Sequence, residues 1–287
     1  MQIKAYAKIN LALDITGRRA DGYHLLDMAM HTISLCDVLT LKREASGLSV
    51  ACGRADVPCG EGNTVHRAAT AFFQAIDRVP DVSISMEKHI PSQAGLAGGS
   101  ADAAAALHAL NAMYGAKLDV KALCGIGLTV GADVPFCVRG GCARVRGIGE
   151  ILEPLPALPP CWVVVCKPSV GVDTRAAYRA ADERGGGLGS AHTQRVARAL
   201  SAGNLAAVGA SLGNAFEDVL QLPEVESIKA QMRAAGALGA CMTGSGSAVY
   251  SLFERREIAE ACAAFLRKAY PQTFLCQPLE APQEEEG

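Results

Sequence analysis

The chain has 287 residues, half of them hydrophobic and a fifth charged. That is too much chain for one small core and too apolar for disorder. Its 27 Lys and Arg against 29 Asp and Glu leave a formal charge of −2, which supplies no field for nucleic acid or an anionic membrane, so any anionic ligand must be held by local geometry.

Residues 2–15 alternate. Ile3, Ala5, Ala7, Ile9, Leu11 and Leu13 fall on one face and Lys4, Tyr6, Lys8, Asn10 and Asp14 on the other, the period of a half-buried strand. Gly17–Gly22 reads as a loop. Strands are expected over 31–42 and 48–52, a helix over 64–76 and a strand over 82–86. A glycine-rich loop over 91–99 leads into a helix over 101–114, and another helix covers 120–130. Residues 137–145 read as a strand or hairpin. Four prolines within 154–160 break any element, which places a domain boundary near residue 155. Beyond it come a buried strand over 161–166 and two helical stretches separated by the glycine loop Gly185–Gly189. A helix over 223–235, a hairpin over 237–253, a helix over 256–270 and a strand over 273–277 complete an α+β plait pattern. The acidic tail Pro282–Gly287 is expected to fray.

The 11 cysteines are odd in number and form no C-x-x-C pair. They read as buried free thiols, with no disulfide and no metal site. The opening residues lack a signal-peptide core, and no stretch of about 18 residues is apolar enough to span a bilayer. The expectation is a soluble, cytoplasmic protein.

Five segments carry candidate chemistry. In Pro91-Ser92-Gln93-Ala94-Gly95-Leu96-Ala97-Gly98-Gly99-Ser100-Ala101 the glycines let the backbone approach a ligand, and the following helix offers free N–H groups and its positive end. This is neither G-x-x-x-x-G-K-[ST] nor G-x-G-x-x-G; the plain alternative is a glycine turn with Ser100 as helix N-cap. Gly131-Ala132-Asp133-Val134-Pro135-Phe136 offers a carboxylate beside a substrate hydroxyl, or only a turn aspartate. Lys8 and Asn10 share a strand face. Lys8 is either a solvated edge residue or a positive charge for a phosphoryl group or a carboxylate. Thr243-Gly244-Ser245-Gly246 is a plausible hairpin turn. Tyr23 and His24 in Asp21-Gly22-Tyr23-His24 could meet a base or simply pack.

Taken together, these segments resemble the GHMP kinase superfamily: an N-terminal strand, a P-x-x-x-G-L glycine loop and a late glycine-rich turn. Lys8–Leu11, Asp21–His24, Ala94–Asp102 and Gly131–Phe136 are similar to the branch that acts on a cytidine diphosphate-linked methylerythritol, on the non-mevalonate route to isoprenoid precursors. The resemblance runs from about residue 4 to residue 253. It implies a two-domain GHMP-kinase-like fold of the α+β class. An N-terminal α/β domain, residues 1–155, would hold a left-handed-crossover-type nucleotide site and the catalytic residues. A C-terminal ferredoxin-like α/β plait, 156–287, would form the substrate-side wall.

The same resemblance implies ATP as phosphoryl donor, Mg²⁺ carried by ATP, and a small-molecule acceptor. Lys8 and Asp133 would be the catalytic pair. Pro91–Ala101 would hold the ATP phosphates, with Lys88 near the nucleotide. Asn10, Tyr23 and His24 would bind the cytidyl group, with Thr174 and Tyr178 lining the same pocket and Thr243, Gly244 and Ser245 bordering it. Gln93, Ala94 and Ala97 stand where some members carry glycine, and Arg175 where some carry a small residue or proline. Two alternatives stay open: another kinase of the superfamily, for mevalonate, homoserine or a sugar, and a non-catalytic nucleotide-binding protein.

Overall fold

A computed structural model describes residues 1–184 and 191–281. The expected glycine loop Gly185–Gly189 and the acidic tail Pro282–Gly287 lie outside the described residues. In chain order the elements are β1 (Gln2–Arg18), β2 (His24–Arg43), β3 (Gly47–Cys52), α1 (Thr64–Ala75), β4 (Asp81–Glu87), α2 (Gly98–Tyr114), α3 (Val120–Val130), α4 (Val134–Arg139), β5 (Cys142–Gly147), β6 (Ile151–Pro154) and β7 (Trp162–Cys166). They continue with α5 (Thr174–Arg184), α6 (His192–Ser201), α7 (Leu205–Ser211), β8 (Gly213–Asn214), α8 (Pro223–Ala234), β9 (Gly239–Met242), β10 (Val249–Phe253), α9 (Arg256–Arg267) and β11 (Thr273–Cys276).

Two compact units alternate along the sequence. The first comprises residues 1–7, 35–90 and 97–140, and the second 8–34, 91–96 and 141–287. In the first, β3 runs parallel to β4, to which α1 connects it, and β4 pairs antiparallel with the second half of β2. Asn63 starts α1 by accepting from the Val65 N–H, and Asp119 starts α3 by accepting from Ala122. The alanines of α2, Ala103 to Ala106, are buried, and their small side chains let α1 and α4 pack closely on that helix.

In the second unit the first half of β2 pairs with β5, β5 with β6, and Ala12–Leu13 of β1 run parallel to β8. A separate antiparallel sheet has the order β11-β7-β10-β9, covered by α8 and α9. Strand order 4-1-3-2 with two crossover helices is the ferredoxin-like plait expected from the sequence. Among the described residues no helix is long and apolar enough to cross a membrane.

Several local expectations change. Residues 137–139 end helix α4 rather than opening a strand, because Pro135 in its first turn suits helix initiation. Helix α2 begins at Gly98, three residues earlier than expected, so Ser100 lies inside the helix. The cap position is Ala97, with φ +57° and no side-chain cap. From Lys8 to Ile15 both faces of β1 are buried, so within residues 2–15 the half-buried pattern is confined to the first residues. Helix α7 was not expected.

One buried group reports on the second unit. His31 is fully buried; the Leu158 N–H donates to its Nε2 at 3.1 Å, so its own proton sits on Nδ1 and meets the Thr32 carbonyl at 2.9 Å. Burial pushes its pKa down to about 4, against the Thr32 bond. A depressed histidine pKa means that the unfolded chain binds the proton first. Stability from this group is therefore complete above about pH 6.5 and is lost as pH falls towards 4. Denaturant unfolding should show a loss of roughly 2 kcal/mol from this residue between pH 7 and pH 5, and His31→Gln should flatten that part of the profile. An unchanged pH profile in the variant would contradict the assignment.

Candidate active site

In the second unit the polar face of β1 is buried: Lys8 is 3% exposed and Asn10 1%. The solvated-edge alternative for Lys8 is thereby excluded. Lys8 Nζ donates to Asn10 Oδ1 at 2.6 Å. The Asn10 backbone N–H donates to Thr243 Oγ1 at 3.0 Å, its Nδ2 approaches Met28 Sδ at 3.4 Å, and the Tyr250 hydroxyl donates to the Asn10 carbonyl at 2.9 Å. Every polar atom on this asparagine is thus used to fix it, as a buried amide requires. Thr243 also turns its hydroxyl towards the Gly95 carbonyl at 3.2 Å.

Glycines 95 and 244 have a role that the sequence left to a ligand. Gly95 has φ +71°, and a Cβ there would lie 1.9 Å from the Thr243 carbonyl oxygen. Gly244 has φ +57°, and its Cβ would meet the Gly95 Cα at 3.0 Å. The first half of the loop, Pro91–Leu96, thus packs backbone against backbone on the Thr243–Gly246 turn. Lys8 N–H to Leu96 carbonyl (3.2 Å) and Ala248 N–H to Ala94 carbonyl (3.2 Å) extend this contact. Gln93 takes φ +50° without being glycine.

The cytidyl candidates also converge in this unit. Thr174 Oγ1 and Ser245 Oγ are 2.9 Å apart. The Tyr178 ring stacks on His24, centroids 4.5 Å apart at 20°, and meets Phe216 edge-on at 5.1 Å. Tyr23 is 62% exposed, a large aromatic ring left in solvent. The sequence missed Asp182, whose Oδ1 lies 2.7 Å from His24 Nε2. Its signal was the four-residue spacing from Tyr178, which puts the two on one helix face.

In the first unit Gly98 and Gly99 open α2, and no side chain caps its first turn. Their Cβ atoms would press on Ile90 Cγ2 at 3.0 Å and Thr64 Oγ1 at 3.2 Å, so substitution here also strains packing. Asp133 is the residue before α4 and makes no side-chain cap bond to it. Ser100 Oγ lies 4.0 Å from where a Gly131 Cβ would stand, which brings the two motifs together within this unit.

Lys88 is held by two carboxylates. Its Nζ donates to Asp37 and, at 2.5 Å, to Asp102 Oδ2. Asp37 Oδ1 also accepts the backbone N–H of Ile90 at 2.8 Å. All three side chains are almost wholly buried. Asp102 Oδ1 has no hydrogen-bond partner. Asp37 and Asp102 were not among the expected site residues; a lone aspartate amid Leu35, Cys36, Val38 and Leu39 was the readable signal.

Lys8 belongs to the second unit and Asp133 to the first. No group of three or more His, Cys, Asp or Glu with the arrangement of a metal centre occurs among the described residues.

Residues 63–141 match the GHMP kinases N terminal domain and 196–272 the GHMP kinases C terminal domain. The chain belongs to the GHMP kinase family. Within it, the chain is 43% identical to a 4-diphosphocytidyl-2-C-methyl-D-erythritol kinase of Moorella thermoacetica over 97% of this chain and 99% of the relative. It is 45% identical to the kinase of that name from Exiguobacterium sibiricum over 90% of this chain and 91% of the relative. A crystal structure of 4-(cytidine 5'-diphospho)-2C-methyl-D-erythritol kinase superposes with TM-score 0.81 at 37% identity, covering 97% and 99% of the two chains. Homoserine kinase of Cytophaga hutchinsonii, 20% identical with TM-score 0.74 over 98% of this chain and 96% of its own, shares the fold.

Two outcomes follow from these contacts. Gly95→Ala forces a Cβ into the Thr243 carbonyl and should lower Tm sharply, whereas Gly115→Ala, whose Cβ meets nothing within 4 Å, also has positive φ and serves as the control for backbone strain alone. Equal losses in the two variants would remove the packing argument. Burial, aided by Asp37 and opposed by Lys88, raises the Asp102 pKa to about 7. A raised carboxyl pKa contributes stability below the unfolded value and loses it as pH rises through the folded one. Asp102→Asn should therefore gain on the wild type between pH 5 and pH 8 in denaturant unfolding. A difference independent of pH would show that Asp102 stays ionised throughout.

Proposed function

We propose that the chain transfers the γ-phosphoryl group of ATP to the 2-hydroxyl of 4-diphosphocytidyl-2-C-methyl-D-erythritol, giving the 2-phosphate and ADP, in the non-mevalonate route to isoprenoid precursors. Near-full-length identity to kinases of that name carries the reading. The division into an N-terminal domain ending near residue 155 and a C-terminal domain is part of it, and the two family matches fall on either side of that boundary.

The start of α2 suits the nucleotide. Its first N–H groups have no side-chain cap, and the positive end of a 17-residue helix stands behind them. Backbone donors of Pro91–Ala101 would neutralise phosphate charge, which is most of what phosphoryl transfer asks of a protein. Mg²⁺ would arrive with ATP and supply further charge neutralisation; Ser100 is the residue of this chain that would approach it. Lys88, held between Asp37 and Asp102, keeps the start of α2 in place beside the nucleotide.

Asp133 would accept the proton of the 2-hydroxyl. Lys8 would orient the hydroxyl, with Asn10 fixing the ammonium. Tyr23 would stack on the cytosine and His24 hydrogen-bond it, while Thr174, Tyr178, Thr243, Gly244 and Ser245 would border the acceptor.

ATP consumption should be fast with the cytidyl substrate and near background with unlinked methylerythritol phosphate, mevalonate or homoserine. Turnover of mevalonate at a comparable rate would move the chain to another branch of the superfamily. Asp133→Asn should lower kcat by roughly 10²–10⁴-fold with ATP affinity kept. Lys8→Ala should lower kcat as well, and the double variant should lose less than the product of the two, because residues acting as a unit are not additive.

A further inference from the structure

His24 opens β2 and leaves only about a tenth of its side-chain surface exposed, between Tyr178 above its ring and Asp182 at its edge. Tyr178 and Asp182 are one turn apart on α5 and act on the same imidazole. Asp182 Oδ1 lies 2.7 Å from Nε2, and Arg18 Nη1 lies 3.3 Å from Asp182 Oδ2. This arrangement fixes the ring in position and also decides its tautomer. A carboxylate only accepts hydrogen bonds, and a neutral imidazole carries one ring proton. The proton therefore sits on Nε2, and Nδ1 presents a lone pair. Nδ1 makes no hydrogen bond within the described residues. Its chemical complement is an N–H donor.

We infer that Asp182 is a positioning residue for base recognition: it holds the His24 proton on Nε2, so that Nδ1 accepts from the exocyclic amine of cytosine and opposes the carbonyl that uracil carries in the same place. The inference rests on the cytidyl reading above and adds the reason for choosing between the two pyrimidines. Two facing acceptors leave a buried lone pair without a partner, and a site built to hydrogen-bond a group discriminates strongly against an analogue lacking it. Asparagine at 182 could present either its oxygen or its NH₂ to Nε2, which would release the tautomer while preserving size and ring position.

The experiment uses the full chain and measures binding of the cytidyl substrate and its uridyl analogue by calorimetry, beside steady-state kinetics. Asp182→Ala should weaken the cytidyl substrate about tenfold, the weight of one hydrogen bond at a binding site, and leave the uridyl analogue and the KM for ATP nearly constant. Asp182→Asn should narrow the cytidyl-to-uridyl ratio in the same way, and Asp182→Glu, which restores an acceptor-only partner, should recover much of it. Circular dichroism and Tm confirm the fold of each variant. If affinity for both nucleotides falls in parallel with the ratio preserved, Asp182 merely packs α5 on the start of β2 and the inference fails. It fails equally if the variants bind both as the wild type does, or if the wild type shows no preference. A wild type that prefers the cytidyl compound but does not phosphorylate it would overturn the kinase reading alone, since the Asp182 comparison is read from binding.

Discussion

The Thr243 residue is the point on which the second unit's site depends. Its carbonyl stands where a Gly95 Cβ would be, and its hydroxyl accepts the Asn10 backbone N–H. One residue therefore fixes three segments far apart in sequence: strand β1 with Lys8, the start of the glycine loop and the late glycine turn. The contact requires Gly95 at positive φ, because any side chain there collides with backbone, which cannot move aside as a flexible side chain can. Asn214 supports the turn from behind, donating through Nδ2 to the Met242 and Gly244 carbonyls at 2.8 Å each. The buried Lys8 ammonium is tolerable in this setting because Asn10, itself fully bonded, presents Oδ1 to it.

The loop's second half answers to a different constraint. Ala97 takes φ +57° and α2 starts immediately after it, so the helix start is set by backbone conformation and by what lies beneath. Beneath it is a lysine between two aspartates, one more negative charge than positive in a region closed to water. Such a cluster holds geometry better than it contributes net stability, since the desolvation of each ion offsets much of the Coulomb attraction. A proton retained on Asp102 relieves that imbalance and accounts for an Oδ1 without a partner. Lys88 is thereby committed to protein carboxylates.

Much of this was legible in the sequence because it is periodic or punctuated. The alternation of residues 2–15, the alanine-rich helices and the proline run near 155 gave elements close to those observed, and the plait order followed from their succession. The candidate segments stood out because their residue types are unusual together. What stayed hidden has a common cause. Nothing local says that Gly95 serves Thr243, 148 positions away, or that Asp37, Lys88 and Asp102 meet. Those are tertiary facts, as is the burial of both faces of β1, where strand period alone suggests a wet face. Helix α4 was misread because six residues are too few for a period to establish itself.

A fold shared with a homoserine kinase at 20% identity means that the fold sets no acceptor by itself. Discrimination has to reside in side chains that touch the acceptor's distinguishing part, and in those that fix them. A histidine alone is a poor discriminator, because its two ring nitrogens can exchange donor and acceptor roles. Placed against an acceptor-only carboxylate it loses that freedom, and the ring becomes a group of one polarity. The spacing of Tyr178 and Asp182 on α5 supplies both requirements at once, a face to hold the ring and an edge to set its proton, at the cost of two helix positions. On this argument Asp182 would contribute to the choice of base through His24, without touching the base itself.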